Sequence, residues 1–79
     1  MTKQKKHPYL ATNLRILRNS LGLTQDYIAE KIGVNRTTYL YWESGNCEPS
    51  FSKLTDIINL YVGKGLKVDY NYLLSKPLR

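Results

Sequence analysis

Leucines recur along the first part of the chain with the spacing of one helical face. They stand at positions i, i+4, i+7 and i+11, which places their side chains on one side of an α-helix. These residues are Leu10, Leu14, Leu17 and Leu21. Gly22 follows directly and predicts a left-handed stop, because glycine adopts a positive φ at no steric cost. The pattern predicts a first helix that ends near Gly22.

Two further helices are predicted before residue 46. Thr24 has the character of an N-cap, and Asp26 would favour the dipole of the first turn of the second helix. Gly33 and Gly45 are predicted to end the second and third helices, and Asn35 to cap the third. The apolar residues predicted to pack these two helices against the core are Ile28, Ala29, Ile32, Val34, Tyr39 and Trp42.

The remaining residues predict a fourth helix and a short fifth helix. Ser50 and Asp69 are the predicted N-caps, and the Gly-Lys-Gly sequence at residues 63–65 separates the two helices. Their predicted apolar positions are Phe51, Leu54, Ile57, Ile58, Tyr61, Tyr72, Leu73 and Leu74. No alternating run predicts a strand. We therefore expect an all-α fold, a compact five-helix bundle over residues 9–79, preceded by a flexible basic arm at residues 1–8.

The charge of the chain narrows its expected partners. The 79 residues can form one domain, and they carry a formal net charge of +6. Residues 1–24 contain basic side chains and no acid, whereas all 6 acidic residues come later. A small basic chain of this kind favours a polyanionic partner, with nucleic acid first and an anionic membrane surface second.

Other classes of function find little support in the sequence. Cys47 is the only cysteine, so an internal disulfide is excluded and a reducing, cytoplasmic setting is favoured. No apolar run approaches the roughly 20 residues that span a bilayer. His7 and Cys47 do not have the spacing of a zinc site, and no nucleophile is paired with a base. We expect no metal, no cofactor, no membrane association and no enzymatic activity.

The most specific pattern lies in residues 25–44, where two predicted helices are joined by about three residues. Ala29 is small where the helices cross, and Gly33 stands where the chain turns. The residues predicted on the outward face of the second helix of this pair are Arg36, Thr37, Leu40 and Tyr41. A helix with a polar outward face at its N-terminal end fits the major groove of DNA, which is about 12 Å wide.

Matches to a known family pattern run over about residues 10–74. They are Asn13-Leu14-Arg15, Gly22-Leu23-Thr24-Gln25, Ile28-Ala29, Ile32-Gly33-Val34, Trp42-Glu43-Ser44-Gly45, Pro49-Ser50 and Leu54. Together these residues resemble the helix-turn-helix domains of the Cro and phage-repressor family, also called the XRE family. The resemblance implies a lambda-repressor-like fold that binds double-stranded DNA in a sequence-specific manner. It also implies a repressor-like transcriptional regulator of bacterial, phage or mobile-element type.

The same resemblance implies roles for individual residues. Gln25 matches a glutamine that contacts a phosphate and buttresses the recognition helix, and Thr24 beside it is also predicted to contact DNA. The positions that usually face DNA are matched by Asn35, Arg36, Thr37 and Tyr41. Arg36 would either grip guanine O6 and N7 or contact a phosphate. Thr37 and Leu40 would touch a thymine methyl group. The residues predicted to contact phosphate oxygens are Thr38, Ser44 and Asn46.

Arg18 and Glu43 match a pair that forms a partly buried salt bridge between the first and third helices. The resemblance therefore assigns these two residues a structural role rather than a DNA contact.

Two features depart from the family pattern. Leu40 and Tyr41 are apolar or aromatic where polar residues are usual, so either Tyr41 lies on the sugar-phosphate backbone or a protein partner covers this face. Residues 63–67 make a longer connection than usual, which is either a simple loop or a change to the dimerisation surface. We expect a homodimer that binds DNA, with an antitoxin-like or adaptor protein-binding module as the alternative function.

Overall fold

Five α-helices account for most of residues 7–77, which are the residues that this computed structural model describes. They are α1 (Leu10–Ser20), α2 (Gln25–Ile32), α3 (Arg36–Ser44), α4 (Phe51–Gly63) and α5 (Tyr70–Leu74). No strand occurs within residues 7–77. The predicted all-α, five-helix class is therefore confirmed. No helix in this part of the chain is long and apolar enough to cross a membrane.

The helices begin largely where the capping residues predict. Thr24 Oγ1 accepts a hydrogen bond from the Tyr27 N–H at 3.0 Å, and the side chains of Ser50 and Asp69 cap α4 and α5 in the same way. Asn35 differs, because it has the extended backbone of an N-cap but its side chain makes no capping hydrogen bond. Asn35 therefore occupies the predicted N-cap position of α3 but does not cap the helix through its side chain.

The turn between α2 and α3 consists of residues 33–35, as the pattern predicted. Gly33 has a φ of 77°, a left-handed conformation that strains other residues. The N–H of Val34 donates back to the carbonyl of Ala29 at 2.9 Å, which satisfies a carbonyl at the end of α2. The turn thereby fixes the direction in which α3 leaves α2.

The core lies where α1, α2, α3 and α4 meet, and α5 closes over α1. Its buried apolar residues are Leu10, Leu14, Leu17, Ile28, Ala29, Ile32, Tyr39, Trp42, Leu54, Ile57, Ile58, Tyr61, Val68 and Leu73. Leu21, Phe51 and Tyr72 were predicted on packed faces and are exposed. Phe51 is 71% exposed because the core begins one turn later in α4, at Leu54, and its ring stacks on Tyr70 from α5 instead.

Two lysines fix α4 alongside α2. Lys53, near the start of α4, donates from Nζ to the carbonyl of Ile32 at the end of α2, at 3.0 Å. Lys64, just after α4, donates from Nζ to the Tyr27 hydroxyl near the start of α2, at 2.8 Å. The two helices therefore run side by side in opposite directions.

The buried side chain of Asn13 ties the last helix to the first. Its Nδ2 donates to the carbonyls of Leu73 and Ser75, at 2.6 and 2.8 Å, and to that of Tyr72 at 3.3 Å. Carbonyls at the end of a helix have no partner within the helix, so a buried donor supplied from outside satisfies them. Asn13 therefore holds the C-terminal end of α5 against α1.

Replacement of Asn13 by alanine should lower the free energy of unfolding by roughly 1–3 kcal/mol, because it leaves buried carbonyls unpaired. Urea denaturation measures the change. Asn19→Ala is the matched control, since Asn19 lies exposed on the same helix. Equal losses in the two variants would contradict the assigned role of Asn13.

Candidate nucleic-acid interface

Helix α3 has a buried inner face and an exposed outer face along its length. Tyr39 and Trp42 point inward and are buried. The residues exposed on the other side, over successive turns, are Arg36, Thr37, Leu40, Tyr41 and Ser44. This outer face contains five of the ten predicted DNA-contact residues, and it includes Leu40 and Tyr41 at 37% and 46% exposure.

The start of α2 lies beside the start of α3. An open recess of about 460 Å³ separates them, and it is lined by Arg18, Leu23, Thr24, Gln25, Asp26 and Arg36. Thr24 Oγ1 accepts the capping hydrogen bond, so its hydroxyl proton stays free to donate to a ligand. The structure thus brings Thr24, Gln25 and Arg36 to one edge of the molecule.

The other predicted contact residues differ in how available their side chains are. Asn35 and Asn46 are exposed, and Thr38 is half-buried at the first turn of α3. The Ser44 hydroxyl donates to the carbonyl of Tyr41 at 3.1 Å, so it would have to break this bond to donate to a phosphate. Of these four residues, Asn35, Ser44 and Asn46 are exposed, and the hydroxyl of Ser44 already donates within α3.

Glu43 joins three helices from a position with only 2% exposure. Arg18 of α1 donates from Nε to Glu43 Oε2 at 2.6 Å and from Nη2 to Oε1 at 3.1 Å. Gln25 of α2 donates from Nε2 to the same Oε1 at 3.1 Å. The two carboxylate oxygens of one α3 residue therefore hold side chains from α1 and α2 in fixed positions.

Two backbone contacts extend this connection. Arg18 also donates from Nη1 to the carbonyl of Leu23 at 2.8 Å, in the segment between α1 and α2. Arg15 donates from Nη1 to the carbonyl of Glu43 at 2.5 Å, near the C-terminal end of α3. A cation at this end of a helix is favourable for the helix dipole. The contact made by Arg15 depends on how α1 crosses α3, and local sequence spacing does not reveal it.

Both partners of the ion pair remain charged at neutral pH. Burial alone would raise the pKa of Glu43, but the hydrogen bond from Arg18, with those from its other partners, outweighs burial and lowers it. The hydrogen bond to Glu43 raises the pKa of Arg18. Burial also raises the pKa of Tyr39 and Tyr61, and the charge of Glu43 acts in the same direction, so both phenols stay protonated.

A second polar cluster, not foreseen from the sequence, surrounds Tyr27 on α2. The ammonium groups of Lys64 and Lys31 lie 4.9 and 5.4 Å from the centre of its ring. The hydrogen bond from Lys64 lowers the pKa of the Tyr27 hydroxyl. Lys64 thus attaches the start of the long connection at residues 63–67 to α2.

Helix α3 itself contributes little positive charge to the interface. Its only cation is Arg36, whose Nε lies 3.4 Å from Oδ1 of Asp26. The backbone N–H of His7 donates to Oε2 of Glu48 at 2.9 Å, which attaches the chain at residue 7 to the connection between α3 and α4. Residues 1–6 of the predicted basic arm lie outside the described residues, and its Lys3, Lys5 and Lys6 are among them.

A comparison with protein families identifies the class of domain. Residues 14–61, more than half of the chain, match a family model described as helix-turn-helix. The chain therefore belongs to the Cro/C1-type, or XRE, helix-turn-helix family, and the family predicted from the sequence is confirmed. The matched segment begins within α1 and ends within α4, so it contains both α2 and α3.

Curated relatives are similar over part of their length. A Bacillus subtilis protein named uncharacterized HTH-type transcriptional regulator YqaE is 37% identical over 63 residues, which cover 80% of this chain and 50% of the relative. Two archaeal proteins named uncharacterized HTH-type transcriptional regulators, from Methanothermobacter thermautotrophicus and Archaeoglobus fulgidus, are 44% and 39% identical over 41 residues. Those matches cover 52% of this chain and 59% of each relative.

The chain thus spans about half the length of the curated relatives it matches. No solved structure matches the chain significantly.

Glu43→Gln should lower the free energy of unfolding at neutral pH by about 3–5 kcal/mol, because it leaves Arg18 without its counter-charge. The pKa of Glu43 is lower in the folded state than its ordinary value near 4.5. Its ionised form therefore stabilises the fold above that value, and this contribution is lost as the pH falls through the folded pKa.

Urea denaturation at a series of pH values tests both statements. Below pH of about 4, the native protein should lose stability more steeply than the Glu43→Gln variant. Parallel pH profiles for the two proteins would show that Glu43 does not supply the acid-sensitive contribution.

Proposed function

We propose that this protein binds double-stranded DNA at specific sequences and acts as a repressor-like transcriptional regulator. The observation that carries the proposal is the exposed outer face of α3, which begins with Arg36 and Thr37 and is braced through buried Glu43 to α1 and α2. Membership of a helix-turn-helix family and the regulator names of its relatives support the same function.

In the proposed complex, α3 lies in the major groove with its N-terminal turn nearest the bases. Arg36 donates to a guanine edge, while Thr37 and Leu40 contact thymine methyl groups. Residues at the edges of this surface contact the sugar-phosphate backbone and set the orientation of the domain without reading sequence. The residues in this second group are Thr24, Gln25, Thr38, Tyr41, Ser44 and Asn46.

We further propose that the protein acts as a homodimer. One recognition helix of 9 residues reaches few base pairs, so a single domain would select its target weakly. Two symmetric copies would bind half-sites about 34–36 Å apart, one helical turn along the same side of the duplex. The target would then have two-fold symmetry.

Selection from a pool of random duplexes tests the proposed specificity. The expected result is an enriched motif with two related half-sites. The absence of an enriched motif would contradict sequence-specific binding, and a single asymmetric half-site would contradict the homodimer. Binding should also weaken steeply as salt rises, because each phosphate contact releases counterions.

The exposure of Leu40 and Tyr41 supports a second candidate function, an antitoxin-like or adaptor protein-binding module. Both residues would then be covered by a protein partner instead of DNA. Chemical nitration of Tyr41 distinguishes the two functions. Protection by the selected duplex supports DNA binding, whereas protection by a stoichiometric host protein and not by DNA supports the adaptor.

Arg36→Ala should weaken binding by about 5- to 150-fold for each half-site of the selected duplex, which corresponds to roughly 1–3 kcal/mol for each bidentate base contact. The melting temperature should barely change, because the side chain is exposed. Fluorescence anisotropy with labelled duplex measures the affinity. Gln25→Ala is a poorer probe, since Gln25 also donates to Glu43 and its removal would affect the fold.

Lys67→Ala is the charge-matched control for Arg36→Ala. Lys67 is exposed and lies in the connection between α4 and α5, outside the predicted contact residues. An equal loss of affinity in the two variants would contradict a base contact by Arg36, because it would indicate an effect of net charge alone.

Replacement of Lys3, Lys5 and Lys6 by glutamine should lower affinity for all duplexes alike. Helix α3 supplies a single cation to attract the phosphates. The three lysines precede His7, whose N–H donates to Glu48 in the connection between α3 and α4. The slope of log affinity against log salt should fall by about 0.9 for each phosphate that the arm no longer neutralises. Unchanged affinity and an unchanged slope would contradict an electrostatic role for the arm.

A further inference from the structure

Asp26 and Arg36 form an ion pair across the recess between α2 and α3. Arg36 Nε lies 3.4 Å from Asp26 Oδ1, and the two side chains are 75% (Asp26) and 62% (Arg36) exposed. Arg36 makes no other ion pair within residues 7–77. An ion pair this exposed contributes little to stability, so a stabilising role does not account for its position at the proposed DNA-binding edge.

The geometry of the pair leaves one side of the arginine free. A guanidinium group is planar and can donate through its Nε edge or through the edge formed by its two η nitrogens. Asp26 approaches on the Nε side. The η nitrogens therefore remain available, and these two donors match the paired acceptors O6 and N7 of guanine.

The charge of Asp26 affects two possible ligands of Arg36, a phosphate and a guanine base, to different extents. A phosphate is an anion, so a carboxylate beside the arginine repels it. The edge of a guanine base has acceptor atoms with partial negative charge but no net charge, so the carboxylate repels it much less. A nearby carboxylate thus disfavours the phosphate contact more than the base contact.

We propose that Asp26 is a positioning residue that directs Arg36 to a guanine and away from the DNA backbone. The inference rests on the proposed function, because it assumes that α3 reads duplex DNA. It makes Asp26 a determinant of specificity although its own side chain has no donor for a base or a phosphate. Removal of its charge should release Arg36 to bind the nearest phosphate.

The test compares Asp26→Asn with Glu30→Gln in the full chain. Glu30 is an exposed acid one turn further along α2 with no ion pair among the described residues, so its variant removes the same charge from the same helix. Affinities are measured for the selected duplex, for duplexes with the guanine replaced, and for a random duplex. The salt dependence of each is recorded.

A bidentate contact supplies a guanine preference of about 5- to 150-fold, and Asp26→Asn should reduce this preference by about threefold or more at one position of each half-site. Affinity for the random duplex should rise, and its salt slope should increase by about 0.9 for each domain bound. Glu30→Gln should leave the guanine preference unchanged. In an Arg36→Ala background, Asp26→Asn should no longer alter the preference.

Three results would overturn the inference: an unchanged guanine preference in Asp26→Asn, an equal change in Glu30→Gln, or the same change without Arg36. The inference would also be overturned if the native protein enriches a motif in which no guanine preference depends on Arg36. That result would leave the proposed function intact. A native protein that enriches no motif would instead contradict the proposed function itself.

Discussion

The buried ion pair between Arg18 and Glu43 is the interaction on which the arrangement of the first three helices depends. A carboxylate with 2% exposure is tolerated only when charged and polar partners satisfy it. Arg18 supplies two hydrogen bonds from α1, and Gln25 supplies one from α2. A shift of any of these helices would break a contact that water cannot replace, so the ion pair fixes α3 relative to α1 and α2.

This constraint places the structural role of α3 and its proposed binding role on different faces of the helix. The inner face bears Tyr39, Trp42 and Glu43, which fill the core and hold the other helices. The outer face needs no internal partner, and its side chains can meet a ligand while the core stays packed. Gln25 of α2 contacts both regions, because it donates a hydrogen bond to buried Glu43 and also borders the recess beside Arg36.

Most of the basic residues of the chain lie outside α3. The positive charge of the chain is not concentrated on α3, whose single cation lies beside Asp26. In the proposed complex, attraction to the phosphate backbone therefore comes mainly from basic residues outside the recognition helix. Helix α3 then contributes shape and hydrogen-bond donors, which are the features that distinguish one base pair from another.

Much of the fold could be predicted because its signals are local. Leucine spacing, glycines at helix ends, and Thr24 or Ser50 before a helix each act within a few residues. Contacts between distant segments could not be predicted in this way. Asn13 binds carbonyls about sixty positions later, and the exposure of Phe51 depends on where α4 meets the core. The candidate site shows the same division: the resemblance located its residues, yet the Asp26–Arg36 ion pair depends on how the turn at residues 33–35 orients α2 and α3.

The proposed role of α3 in DNA binding is tested most directly by mapping the DNA-binding surface by NMR, with a selected duplex titrated into isotope-labelled protein. If α3 reads the duplex, amide shift changes should concentrate at residues 24–25 and 35–46, at the start of α2 and along α3. The hydrogen-bond network around Glu43 should remain in place. Changes concentrated on α4 and α5 instead, with α3 unaffected, would contradict DNA binding through α3.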